Sequence, residues 1–328
     1  MGGTVYEQTV KVGDCMGLLG KSVALQVGED LAAALGLIGT VVETPVQEAA
    51  LRLWFGDAWS GDPASPIAPG PNTPLTPEEA VLVASDIAAL AAAPTTVNRP
   101  VNWPGLRMRA RAALQARATA PAPRLRRGFS AQDVTVETRR LPYARYFDVE
   151  DLTLTHPRYD GTRSDLIDRA CLRAADAVTV LPYDPAADLV LIIEQFRPAA
   201  LVRGDPYPWL LEPVAGRCDR DEPPEAVAHR EAMEEAGLTL SDLLPVANYY
   251  PSPGALSEYL YNYVGLCDLS AHAEGTHGLA SEAEDIRTHI LPFDEAFALI
   301  ASGEADNGPL ILSLMWVAQH RVALRSGG

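Results

Sequence analysis

Apolar positions change period partway along the chain, and the structure they encode changes with them. As far as Arg127 the sequence is Ala-rich and broken by Pro and Gly, as at Gly61-Asp62-Pro63 and Pro69-Gly70-Pro71. Within it, Thr76-Pro77-Glu78-Glu79 puts a hydroxyl at an N-cap, proline at N1 and glutamate at N3, ahead of Val81, Leu82, Ile87 and Leu90. A capping box feeding an apolar stripe predicts a helix to about Ala92. Residues 106–118 read as a second helix, and the linker Ala120-Pro121-Ala122-Pro123 marks a domain boundary near residue 127. Beyond it, short β-branched and aromatic runs predict strands at 134–138, 152–155, 177–183, 189–194 and 259–264. Residues 221–237 and 310–324 read as helices, the latter from the stripe Leu310, Leu314, Val317 and Leu324. The expected class is α/β (α+β): a mixed sheet flanked by helices over 128–328, with a separate, mainly helical domain over 1–127.

Composition narrows the function. At 328 residues and 48% hydrophobic content the chain can bury two cores, and a formal net charge of −17 argues against nucleic acid or an anionic membrane as partner. Cys15, Cys171, Cys218 and Cys267 form no CxxC pair, so neither a disulfide framework nor a zinc site is indicated, and a reducing cytoplasm is the expected location. No apolar run approaches the roughly 18 residues of a membrane span. Eight arginines and no acidic residue lie between Arg99 and Arg127; the expected arrangement is a helix face beside an acidic neighbour.

The chemistry concentrates between Gly216 and Leu238. Pro223 and Pro224 suit a helix start, and Gly237 suits its stop. Glu231, Glu234 and Glu235 then share one helical face, with Cβ atoms about 5–6 Å apart. Such a cluster repels itself, and it lies toward the end of the helix where the dipole disfavours negative charge. A hard divalent cation removes both objections, because Mg²⁺ takes carboxylate oxygens and completes its octahedron with water and phosphate.

Gly216, Glu222, Arg230, Glu231, Glu234, Glu235 and Gly237 fill every fixed position of the Nudix signature, with Ala232 and Leu238 at its hydrophobic positions, and the segment resembles that family. The resemblance implies a Nudix α/β/α sandwich and hydrolysis of a nucleotide-linked pyrophosphate with Mg²⁺, or Mn²⁺ as an alternative. It makes Glu231 and Glu235 principal metal ligands, Glu234 a supporting one and the Ala215 carbonyl another, with Arg230 and Glu222 a structural ion pair.

From about Tyr143 onward the chain is also similar to bacterial ADP-ribose pyrophosphatases. The resemblance runs through Tyr159-Asp160-Gly161, 181–185, Glu194-Gln195-Phe196-Arg197, 209–216, Tyr250-Pro251-Ser252-Pro253-Gly254 and 282–287. It implies Arg197 on the pyrophosphate, Glu212 on the adenine or ribose, and Ser252, Pro253, Gly254 and Glu258 near the terminal ribose. It further implies Tyr146 and Phe147 stacking on adenine from a partner subunit of a homodimer, packing within the first sheet being the competing reading. Glu282 would be the general base and Glu284 a further metal ligand. Arg169 retains an arginine of the terminal phosphate site, whereas Asp168, Ala170 and Ala174 depart from the more polar or basic family pattern. Another nucleoside diphosphate sugar therefore stands as an alternative substrate, and a non-catalytic ADP-ribose sensor as an alternative role. Some longer proteins of this kind are linked to tellurite resistance.

Two other features point to no chemistry. The segment from Gly13 to Ser22 resembles a phosphate-binding loop but has Cys15 where that motif needs glycine. The six histidines read as ordinary exposed side chains, only His272 and His277 being close in sequence.

Overall fold

The computed structural model describes residues 76–91, 102–119, 125, 128–144, 147–218, 222–279 and 284–326. The glycine-rich segment at 13–22 lies outside them. The described residues divide into two compact units, one drawn from residues up to Ala174 together with Ser252–Ser257, the other from Ala175–Pro251 and Glu258 onward.

In the first unit, α1 (Pro77–Ala91) and α2 (Trp103–Thr119) precede a three-stranded antiparallel sheet of β1 (Thr135–Ala144), β2 (Asp148–Thr155) and β3 (Ile167–Arg173), in the order β1-β2-β3. The capping box forms as the sequence predicts: Glu79 N–H donates to Thr76 Oγ1 at 3.2 Å and Thr76 N–H donates to Glu79 Oε2 at 2.9 Å. The same Glu79 carboxylate ties the helices together, meeting Arg111 at 2.6 Å and Arg107 at 3.5 Å. The helices join the sheet through a second set of ion pairs. Arg139 on β1 reaches Asp86 of α1 at 2.6 Å and Glu150 of β2 at 2.8 Å, and Arg173 of β3 reaches the same two carboxylates at 2.8 and 3.0 Å. Arg109 of α2 meets Asp148 of β2 at 2.5 Å. Arg107, Arg109 and Arg111 of the basic run thus lie against acidic neighbours, and the two helices share one compact unit with the sheet.

The second unit is a mixed sheet between helical layers. β4 (Ala177–Asp184) and β5 (Leu189–Phe196) start as a hairpin, pairing Tyr183 with Val190 and Asp184 with Leu189. Asp184 closes the turn by accepting the Ala186 and Ala187 N–H groups, both at 2.9 Å. The arms then diverge. β5 goes on to pair with β6 (Trp209–Glu212), and β4 with β7 (Val214–Arg217). Pro213, which has no N–H for a ladder, stands where the chain passes from one arm to the other. β8 (Asp242–Tyr249), β9 (Leu260–Leu266), β10 (Thr276–His277) and β11 (Ile286–Pro292) complete the order β10-β11-β5-β4-β9-β8, with β4 and β9 parallel.

Alternation along the central strands sends side chains to two cores. Val178, Val180, Leu191 and Ile193 pack with Val227, Ala228, Ala232 and Ala236 of a helix named below as α4. Leu181, Tyr183, Val190 and Ile192 pack with Phe293, Ala296, Leu310, Leu314 and Val317 on the opposite face. The helices are α3 (Pro198–Arg203), α4 (Pro224–Ala236), α5 (Phe293–Ser302) and α6 (Gly308–Arg325). The helix boundaries expected near Thr76, Gly237 and Leu310 hold to within a few residues. β3, β6, β7, β8, β11 and α5 were not expected: they are short, or carry prolines and charges that mask their period. No helix among the described residues is long and apolar enough to cross a membrane.

Asp86 is 5% exposed and bound by two arginines. Replacing it with alanine would leave both guanidinium groups to Glu150, so Asp86→Ala should cost about 1–3 kcal/mol in the first unit. Amide hydrogen exchange of β1 and β3 should accelerate accordingly; unchanged protection there would refute the assignment.

Candidate functional site: carboxylates of one helix against a strand

The site is built where α4 crosses β7. α4 opens at Pro224 after Pro223 and stops at Gly237, whose φ of +64° favours glycine. Its apolar side, Val227, Ala228, Ala232 and Ala236, is buried against the sheet, and this fixes the rotation that turns Glu231 and Glu235 toward β7. Ala232, small for the hydrophobic position, is fully buried, so its size allows a close approach of helix to sheet.

Glu235 is 2% exposed and accepts the Ala215 N–H at 2.9 Å. Burial pushes its carboxyl up to about 8, with Glu231 and Glu284 adding repulsion and Ala215 and Arg197 opposing the rise. Burial likewise raises Glu231 to about 7, against the pull of Arg230. Glu231 occupies the space a side chain at residue 216 would need: a Cβ on Gly216 would collide with its carboxylate. The first glycine of the motif is therefore required by the carboxylate of Glu231.

Arg230 organises the outer side. Its Nε donates to Glu222 at 2.9 Å, and its Nη1 lies 2.7 Å from Glu231 and 2.8 Å from Glu234. The expected Arg230–Glu222 pair is present, and Glu234 is held by the same guanidinium. Among the described residues no three His, Cys, Asp or Glu side chains converge into a closed metal cage. The oxygen donors are instead spread along α4, β7 and the approach to β11, with Glu284 close enough to raise Glu231 and Glu235 electrostatically.

Across the splayed hairpin, Arg197 follows β5 and is clamped by Glu212 of β6, through Nε at 2.8 Å and Nη2 at 2.6 Å. Burial would lower this guanidinium, but Glu212 holds its pKa above the ordinary value. Glu212 is itself held by Asn307 Nδ2 at 2.9 Å and Gln195 Nε2 at 3.3 Å. Both its oxygens are engaged within the protein, so its visible part is to orient Arg197. Asn307 was not expected from the sequence; its signal there was the N-cap position before Pro309, and it also accepts the Leu310 N–H. Glu258 is half-buried and raised by burial, with Arg217 and then Arg197 pulling the other way. Arg217 was missed too, lying at a variable position of the motif.

Glu284 accepts the Leu279 N–H at 3.1 Å. Glu282 and Tyr146 lie outside the described residues. Phe147, Arg169 and Ser252-Pro253-Gly254 belong to the first unit. There Phe147 is half-buried just before β2, Arg169 is exposed on β3 and donates to the Asp168 carbonyl at 2.8 Å, and Ser252 caps a turn by accepting the Leu256 N–H at 2.9 Å. Among the histidines His229 is exposed as expected, and the others are half-buried. His272 and His277 are half-buried and stack at 6.5 Å, and His289 meets Glu194 at 2.8 Å.

A NUDIX domain model matches residues 173–314. The ADP-ribose pyrophosphatase of Escherichia coli strain K12 is 37% identical over 198 residues, 60% of this chain and 94% of that protein. The GDP-mannose pyrophosphatase of Escherichia coli strain UTI89 is 30% identical over 190 residues, 57% of this chain and 95% of that protein. A crystal structure described as an ADP compounds hydrolase has 20% identity and a TM-score of 0.47, covering 60% of this chain and all of that one. The chain belongs to the Nudix family and is a Nudix pyrophosphohydrolase.

Gly216→Ala tests the packing of strand on helix. The added methyl must displace the Glu231 carboxylate, and a displacement on the order of 1 Å costs roughly 100-fold in turnover. Circular dichroism should be unchanged while kcat drops; a variant with wild-type kcat would show that Glu231 is not needed where it lies.

Proposed function

We propose that the protein hydrolyses the pyrophosphate of ADP-ribose to AMP and ribose 5-phosphate, as a cytoplasmic homodimer using Mg²⁺, or Mn²⁺ in its place. The observation that carries this is the 37% identity to an ADP-ribose pyrophosphatase over 94% of that protein's length, in a chain that keeps every carboxylate of α4. The catalytic module is residues 128–328, a stretch close in length to the 198 residues of that match, and 1–127 is an extension.

The donor set suits a hard dication: oxygen ligands only, and mutually repelling carboxylates that a cation would reconcile. Glu231 and Glu235 with the Ala215 carbonyl would hold it, assisted by Glu234 and Glu284. In a β-strand the N–H and C=O of one residue point the same way, and Ala215 N–H points at Glu235, so its carbonyl shares that side. When bound, the cation supplies charge neutralisation and an acidified water.

The side chains do the rest. Arg197, held in plane by Glu212, takes phosphate oxygens with its forked donors. Glu282 accepts the proton of the attacking water as its oxygen bonds to one phosphorus, and the bond from that phosphorus to the bridging oxygen breaks, the electron pair leaving with the other phosphate. Ser252, Pro253, Gly254, Glu258 and Arg169 serve the ribose 5-phosphate half, and Tyr146 and Phe147 stack on adenine across the dimer. Exposed apolar groups, Leu201, Val202 and Tyr207 between β5 and β6 and Trp209 at the start of β6, favour association. The 30% identical GDP-mannose pyrophosphatase favours, as a second reading, another nucleoside diphosphate sugar.

ADP-ribose, GDP-mannose, ADP-glucose, NADH and diadenosine polyphosphates should be assayed with Mg²⁺ or Mn²⁺ by following nucleotide release. The expected result is the highest kcat/KM for ADP-ribose, with Glu235→Gln lowering kcat by about 100-fold or more. Turnover of GDP-mannose alone would move the proposal to the second reading. Tight ADP-ribose binding without AMP release would make the protein a sensor.

A further inference from the structure

We propose that Gly278 is a positioning residue for the hydrolysis: by carrying no side chain, it lets the chain close on itself and hold Glu284 toward the carboxylates of α4. The inference rests on the reading of Glu284 as a cation ligand.

The observations concern one short excursion between β10 and β11. The ladder closes its base, pairing Thr276 with Arg287 and His277 with Ile286. Directly beyond His277, Gly278 has φ +102°, a conformation that side-chain-bearing residues rarely adopt. A Cβ on Gly278 would lie 2.7 Å from Glu284 Cβ, 3.2 Å from its carbonyl oxygen and 3.3 Å from its carbonyl carbon. Two of these three are backbone atoms, so no rotamer change relieves the contact. Leu279 then fixes Glu284 twice, donating its N–H to Oε2 at 3.1 Å and accepting the Glu284 N–H at 3.3 Å. Residues 278 and 279 thus set both the backbone and the carboxylate of Glu284.

The base of the excursion is set against the catalytic helix. His277 Cε1 lies 3.4 Å from where a Cβ on Gly237, the C-cap of α4, would stand, and His272 packs behind it. His277 thus stands between the C-cap of α4 and the pair Gly278-Leu279 that contacts Glu284. The Glu284 carboxylate lies near enough to act electrostatically on Glu231, Glu235 and Arg197. Gly303 provides the contrast, with φ +83° and no atom within 4 Å of a built Cβ. It needs the same backbone freedom but makes no close approach.

Mn²⁺ binding followed by electron paramagnetic resonance gives a readout independent of turnover. Gly278→Ala should weaken Mn²⁺ about tenfold and lower kcat by a similar factor, leaving KM for ADP-ribose within about twofold. Gly278→Asn, which tolerates a left-handed backbone but still carries a Cβ, should behave alike, whereas Gly303→Ala, strained in its backbone but making no close approach, should keep wild-type Mn²⁺ affinity. In a Glu284→Gln background, Gly278→Ala should cause no further loss of Mn²⁺ affinity. Wild-type Mn²⁺ affinity in both Gly278 variants, with Glu284→Gln impaired, would overturn the role of Gly278 alone. Equal losses with and without Glu284 would also overturn it, by showing general damage. Wild-type behaviour of Glu284→Gln would instead remove the ligand role of Glu284 on which the proposal stands.

Discussion

Everything in the second unit is arranged around one electrostatic burden: several carboxylates brought together on the poorly solvated side of α4, where burial and mutual repulsion both favour their neutral forms. The fold bears it with few compensations. Ala215 N–H takes one oxygen of Glu235, and Arg230 draws Glu222, Glu231 and Glu234 outward. A helix so loaded is kept in place by its other side, where Val227, Ala228, Ala232 and Ala236 are sealed against β4, β5 and β7. Hydrophobic burial thus pins a charge distribution that would otherwise disperse.

The sheet contributes by opening. Because β4 and β5 pair over only two residue pairs before separating, β6 and β7 can occupy the divergent arms, with Pro213 at the changeover. That carries Glu212 to the strand beside Arg197 and Ala215 to the strand beneath α4, so one short stretch serves both halves of the site. Asn307 then joins the start of α6 to Glu212, linking the far helical layer to the orientation of Arg197.

Legibility in the sequence followed the range of the forces involved. The α4 motif could be read because every one of its constraints is local: helical spacing, Pro at the start, a left-handed Gly at the end. The capping box at Thr76 was legible for the same reason. β6 and β7 were not, since four-residue strands on either side of a proline carry no usable alternation. The parts played by Asn307, Gln195 and Arg217 escaped notice because their partners are brought close only by tertiary folding. Glu212 also meets Arg197, Gln195 and Asn307, partners that no local spacing announces. The histidines looked idle because stacking and C-cap packing leave no spacing signal.

The ion pairs of the first unit bear on how its sequence can change over generations. Asp86, Asp148 and Glu150 each meet arginines, and those arginines come from α2, β1 and β3, so neutrality there belongs to no single segment. A change of sign at Asp86 is tolerable only with an answering change at Arg139 or Arg173. Drift in α1 and α2 is thereby coupled to drift in the sheet, and substitutions at these positions among descendants of this chain should arrive in compensating pairs.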